Sequence, residues 1–297
     1  MSGTASRLST GIPKLDELLG GGLLPGRLTV VVGATGIGKT QLGVQFANAG
    51  ASQEGKRGII FDCTSRGDSQ NHADYAERMA GWKMKAGNPD SLPPLDHLFD
   101  PDMSLGDYLA IFRYQGRRVT KRDLSWEEFN DWQAELNSRL RQAIGFFYGN
   151  FVKGVRRAVL DGIEPTDKPT DSIQLHLLEY VYHQILRKDP EWVARDLFRE
   201  QFRQYQPIIE KHPYNPDEIG SMLLYTSHAQ LLDELITKPL DEGDVLSNAN
   251  TIIYMGKIRQ EDRMTRGLYI AKHRGSRCDE RIVPYTINDA GLQLLDV

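Results

Sequence analysis

The sequence predicts an α/β protein with a mostly parallel central sheet flanked by helices, helical insertions and a C-terminal β-hairpin. Three observations carry this. Arg27-Leu28-Thr29-Val30-Val31-Val32 is a β-branched apolar run that leads straight into a glycine-rich loop and then a helical stretch, Gln41 to Ala49. Short apolar runs of strand length then alternate with helical stretches down the chain, the pattern of right-handed crossovers in one sheet. The tail, Arg281 to Ile287 followed by Gly291 to Leu295, reads as a hairpin.

The first element fixes the chemistry. Glycines crowd into Gly20-Gly21-Gly22, Gly26 and the loop Gly33-Ala34-Thr35-Gly36-Ile37-Gly38-Lys39-Thr40. Strand, glycine loop ending in Gly-Lys-Thr, then helix is the phosphate-binding loop in its required context. Glycine reaches the positive φ angles that turn backbone N–H groups inward, and the helix opening at Thr40-Gln41 offers unpaired N–H groups to an anion. Lys39 is expected to reach the β- and γ-phosphates of ATP, and the Thr40 hydroxyl to coordinate Mg²⁺. Gly33 to Gln41 are thus the candidate nucleotide-binding residues.

The next strand to matter is Val155-Arg156-Arg157-Ala158-Val159-Leu160-Asp161, an apolar run ending in an acid. At the C-terminal edge of a parallel sheet, Asp161 would hold Mg²⁺ through water; the plainer alternative is an aspartate capping a helix. Arg57 to Phe61, His97 to Phe99, Ser221 to Thr226, Thr251 to Met255 and Gly267 to Lys272 also read as strands. Thr226-Ser227-His228-Ala229-Gln230 follows one of them. There His228 or Gln230 either senses a phosphate or caps a helix over Ala229 to Ile236.

Two helical insertions, about 101–154 and 165–218, are expected on one domain spanning 1–297. Ser125-Trp126-Glu127-Glu128 is a capping box opening a helix to about Ile144, with Phe129, Trp132, Leu136 and Leu140 on one face. Asp171-Ser172-Ile173-Gln174 opens a second, striped by Leu178, Val181, Tyr182 and Ile185. Asp189-Pro190 opens a third, through Trp192, Leu197, Phe198 and Phe202. His176 and His183 lack further ligands at metal spacing and read as ordinary helix residues.

Charge and cysteine content narrow the function. Thirty-six Lys plus Arg against 40 Asp plus Glu, net −4, argues against a whole-surface nucleic-acid platform. Residues 111–157 nonetheless carry 10 basic and 5 acidic side chains, while residues 164–218 carry 7 and 11. Opposite signs suggest contacts between the insertions, between subunits or with a protein partner; single-stranded nucleic acid is the less favoured alternative. Two cysteines, Cys63 and Cys278, exclude a disulfide scaffold and a four-cysteine zinc site. Met1 to Pro13 has no signal-peptide core and no apolar run reaches membrane length, so a cytoplasmic protein without a membrane span is expected.

Ser9-Thr10-Gly11-Ile12-Pro13-Lys14-Leu15-Asp16-Glu17-Leu18-Leu19-Gly20-Gly21-Gly22-Leu23-Leu24-Pro25-Gly26 resembles the segment entering the loop in KaiC-like and RadA-like members of the RecA ATPase superfamily. Lys272-His273-Arg274-Gly275-Ser276 with Tyr285-Thr286-Ile287 and Gly291 resembles the closing strand and hairpin of KaiC-like proteins. The resemblance covers roughly 6–82, 155–164 and 220–297, and implies a RecA-like P-loop NTPase core. It also implies a homo-oligomer, typically a hexameric ring, with ATP between subunits and Lys272 and Arg274 crossing to a neighbour's γ-phosphate. KaiC-like proteins end the second strand with a glutamate pair that activates water; here Thr64 and Ser65 occupy those positions, and neither hydroxyl is a base at neutral pH. Three readings follow: Asp62 or Glu164 substitutes as base, turnover is slow in a nucleotide-gated switch, or ATP is bound without hydrolysis; slow hydrolysis is the favoured reading. A RecA- or RadA-like DNA-binding accessory is the alternative function.

Overall fold

Along the central strands, alternate residues enter two different cores. In the computed structural model, which describes residues 6–64, 71–112, 124–164, 172–237, 248–275 and 277–296, nine strands form one sheet in the order β3-β2-β4-β5-β1-β6-β7-β8-β9. The strands are β1 Leu28–Gly33, β2 Ile59–Asp62, β3 Tyr108–Ala110, β4 Arg157–Ile163, β5 Gly220–Thr226, β6 Thr251–Gln260, β7 Arg263–His273, β8 Val283–Asn288 and β9 Gly291–Leu294. Those from β3 to β6 pair in parallel, and β6 to β9 form an antiparallel extension ending in the expected hairpin. Ser65, Asp171 and Ser276, singled out from the sequence, lie outside the described residues.

On one face, Val31, Ile60, Val159, Leu224 and Ile253 pack against α2 (Lys39–Gln53) and the lead-in residues Leu8, Leu15 and Leu19 of and around α1 (Pro13–Leu18). On the other, Val30, Phe61, Leu160, Leu223 and Ile252 pack against α4 (Trp126–Val152), α5 (Ile173–Val181), α6 (Pro190–Phe198), α7 (Phe202–Ile209) and α8 (Leu232–Thr237). A sheet covered on both faces needs apolar residues at every strand position, which is why β1 reads as an unbroken run.

The first expected insertion is partly core. The capping box at Ser125 is present, its hydroxyl accepting from Glu128 N while Glu128 accepts from Ser125 N. The helix it opens runs past Ile144 to Val152, because Phe146, Phe147 and Phe151 continue an apolar face buried on the sheet. The same segment also contributes β3. By contrast His97 to Phe99 is not a strand. Leu95–His97 is a 3₁₀ turn following Pro93-Pro94, and Leu98 and Phe99 are buried against the helices, Phe99 stacking on Phe198 at 6.1 Å.

The helix from Asp189-Pro190 also departs from expectation. It ends at Phe198, where Arg199 takes φ 50° and a 3₁₀ turn leads into α7. Trp192 leaves the stripe and stands 58% exposed under the Arg195 guanidinium. The polar segment after β5 yields a shorter helix than expected, beginning at Leu232.

Candidate nucleotide site

Strand β1 delivers the loop to the C-terminal edge of the sheet, and α2 begins at Lys39 behind it. Gly38, at φ 110°, is the helix N-cap with no side chain to satisfy the first N–H groups, which suits an anion. Gly36 takes φ 75°, and a Cβ there would meet nothing within 4 Å, so its glycine serves backbone conformation. Gly33 is different: a Cβ would strike the Met255 carbonyl of neighbouring β6. Lys39 is buried, and its ammonium donates to the Gly33 and Ala34 carbonyls at 2.9 Å each. Burial lowers its pKa to about 8, with the Asp161 charge pulling the other way.

Strand β4 brings up the carboxylate. Asp161 lies within the strand beside a break in register with β5, two residues before its end. Its Oδ2 accepts from Thr40 Oγ1 at 2.8 Å, and its Oδ1 from Gly162 N at 2.7 Å. The Thr40 hydroxyl donates through its proton and keeps lone pairs for a cation, and hydroxyl with carboxylate is the hard oxygen set that Mg²⁺ prefers. The residues therefore fit a Mg²⁺–nucleotide. Gln41 adds a buried Oε1 with no hydrogen-bond partner among the described residues.

Around this pair lies a buried polar group that the sequence reading did not identify. His72, on the first turn of α3 (His72–Ala80), donates from Nε2 to Asp161 Oδ2 at 3.0 Å and sets Nδ1 3.8 Å from Asp62 Oδ2. Burial would lower its pKa, but the Asp161 hydrogen bond and the two carboxylates outweigh that and raise it. Burial pushes Asp161 up, and His72, Gly162 and Thr40 together hold it below the usual carboxylate range. Asp62 accepts from Tyr108 OH at 2.5 Å on one oxygen, and from Thr64 N and Oγ1 on the other. Gln174, on α5, donates to the Cys63 carbonyl and accepts from Glu164 N at 3.0 Å, tying the ends of β2 and β4 together. The Asn71 N-cap of α3, in the segment that follows β2, was the available signal for His72.

Lys39, Thr40, Asp161 and Asp62 thus meet at one edge, with half-buried Glu164 just beyond β4. His228 and Gln230 are exposed beyond β5, next to β1, where Ser227 N reaches the Gly33 carbonyl. Lys272 and Arg274 lie elsewhere. Lys272 registers through Ile252 with Val30, and Arg274 N bonds Asn250 O, whose residue in turn bonds Leu28. At roughly 3.3 Å per residue, Lys272 is thus about 10 Å along the strand from Gly33, and Arg274, level with the start of β1, about 16 Å.

Fold and site define a P-loop protein with a RecA-like core. Residues 8–86 match the family model described as the KaiC ATPase. The chain is 24% identical over 290 residues to the circadian clock oscillator protein KaiC of Parathermosynechococcus lividus, covering 98% of this chain and 41% of that protein. It is 34% identical over 92 residues to KaiC2 of Synechocystis, covering 30% and 15%. It is also 60% identical over 39 residues to the DNA repair and recombination protein RadB of Thermococcus onnurineus, covering 13% and 17%. Over residues 8–86 the chain is similar to the KaiC ATPase, and its sheet is that of a RecA-like core. It spans about two fifths of the length of the KaiC relative it matches end to end.

Proposed function

We propose that the chain binds ATP with Mg²⁺ at its P-loop, hydrolyses it slowly, and acts as an oligomeric, nucleotide-dependent switch. The observation that carries this is the Thr40–Asp161 contact at 2.8 Å beside the buried Lys39, a cation-binding oxygen pair at the mouth of a helix N-terminus. Lys39 places positive charge against the phosphate chain, the loop N–H groups orient it, and Thr40 with Asp161 would hold the metal. Mg²⁺, when bound, supplies charge that neutralises the phosphates as the γ-phosphoryl group leaves.

Slow turnover follows from the weak supply of bases. Asp62 is buried with both oxygens engaged by Tyr108 and Thr64, and the other candidate carboxylate is half-buried Glu164, just beyond β4, to which we assign the orienting of water. The position of Arg274 at the far end of β1, with Lys272 about 10 Å along the strand from Gly33 at roughly 3.3 Å per residue, supports their acting on a neighbouring copy's nucleotide. Protein partners would dock on the helical side, where Phe129, Trp132, Leu136, Leu140, Leu177 and Tyr180 line a groove of about 390 Å³ between α4 and α5.

The test is nucleotide binding and phosphate release by the purified chain. Lys39→Ala is expected to abolish both, and Glu164→Gln to reduce release by about 10²-fold or more while nucleotide stays bound. Phosphate release surviving in Lys39→Ala would overturn the site assignment. Tight, salt-sensitive DNA binding would instead favour a RadA- or RadB-like accessory role. Among the described residues no helix is long and apolar enough to cross a membrane.

A further inference from the structure

We propose that His72 is a positioning residue for Asp161, fixing from α3 the carboxylate that faces Thr40 across the phosphate-binding loop. The inference rests on the ATP–Mg²⁺ reading of the same site. Asp161 is 1% exposed, so its orientation depends on the donors around it. Gly162 N holds Oδ1 from within the strand, while Oδ2 is shared by Thr40 and His72. The Thr40 hydroxyl rotates and is itself the expected partner of a cation, so it is a poor anchor. The imidazole is a rigid ring, 3% exposed, lying 5.2 Å from the Tyr108 ring.

The ring is supported in turn. Tyr108 OH bonds Asp62 Oδ2, and that oxygen faces Nδ1 at 3.8 Å, too far for a hydrogen bond; Nδ1 has no partner among the described residues. Asp62 therefore contributes charge beside the imidazole, and among the described residues the ring's one hydrogen bond is at Nε2, to Asp161. The polar chain runs from the sheet edge at Tyr108, through Asp62 and His72, to Asp161 and Thr40. Supporting groups of this kind orient metal ligands, and their loss characteristically weakens metal affinity.

The experiment separates the two ring nitrogens. In His72→Gln the side-chain amide reaches the Nε2 position; in His72→Asn it reaches only the Nδ1 position, toward Asp62; His72→Phe keeps a ring and removes both donors. A fluorescent ADP analogue is titrated into each full-length variant with Mg²⁺ and with EDTA, and the Mg²⁺-dependent gain in affinity is read. His72→Gln should keep the gain, while His72→Asn and His72→Phe should lose about tenfold or more of it, with affinity in EDTA unchanged. A wild-type gain in folded His72→Asn or His72→Phe overturns the inference, as does equal loss in all three variants. Loss of fold in both Asn and Phe variants makes His72 a structural residue and overturns it as well. If the wild-type chain binds no analogue in either buffer, the nucleotide reading falls, and this inference with it; if wild type shows the gain and His72→Asn or His72→Phe retains it, this inference alone falls.

Discussion

Arg157 is the largest wholly buried side chain among the described residues. Its guanidinium grips the Glu54 carboxylate with Nε and Nη2 at 2.8 Å each, and donates to the Ser9 and Phe46 carbonyls at 2.5 and 2.8 Å. It also lies 4.9 Å above the Phe46 ring. One residue of β4 thereby binds the lead-in and the far end of α2 to the sheet. A buried charge pair adds little over an apolar replacement, but stranding one partner costs several kcal/mol. Arg157→Met is accordingly expected to lose about 3–5 kcal/mol in urea unfolding, and adding Glu54→Gln should recover part of the loss. Nothing in the local pattern Val155 to Asp161 distinguishes Arg157 from exposed Arg156 except the alternation of the strand. The partners that make burial tolerable come from about a hundred residues away.

The closing hairpin acts as a brace for the phosphate-binding loop. Tyr285 OH on β8 donates to the Ile37 carbonyl at 2.7 Å, and Gln45 on α2 clasps the backbone of Leu292 on β9 through both N–H and C=O. Tyr285→Phe leaves a buried loop carbonyl unpaired and should cost about 1–3 kcal/mol, read by thermal or urea unfolding, with a matching fall in nucleotide-analogue affinity. Elements differ in how legible they are in the sequence. The phosphate-binding loop, the core strands and the caps at Ser125, Ser172 and Asp189 announce themselves within a few residues. Strand β3 did not, because three residues carry no periodicity and the apolar Leu98-Phe99 nearby gave the stronger false signal. The surroundings of Asp161 were hidden for a related reason. His72, Tyr108 and Gln174 meet there only because β2 lies between β3 and β4, an order that local spacing does not encode.

At the scale of the molecule, the loop and Arg274 occupy opposite ends of β1, with Lys272 level with Val30 between them. If ATP lies between copies, each copy supplies one half of a site, and two differently damaged chains should repair each other. Mixing Lys39→Ala with Arg274→Ala, each inactive alone, is expected to restore a fraction of phosphate release; additive inactivity at every ratio would place Arg274 outside the reacting centre. Assembly of this sort must also avoid a hazard of every open sheet. The nine strands end on β3 and β9, of three and four residues, and Lys85 to Gly87 already bond along the outer side of β3. Among the described residues, one border is thus already bonded and the other is only four residues long, which leaves a foreign strand little to zip onto. Such a sheet resists growing into a fibril even at the high local concentrations a ring would create, and leaves association to side chains rather than to shared strands.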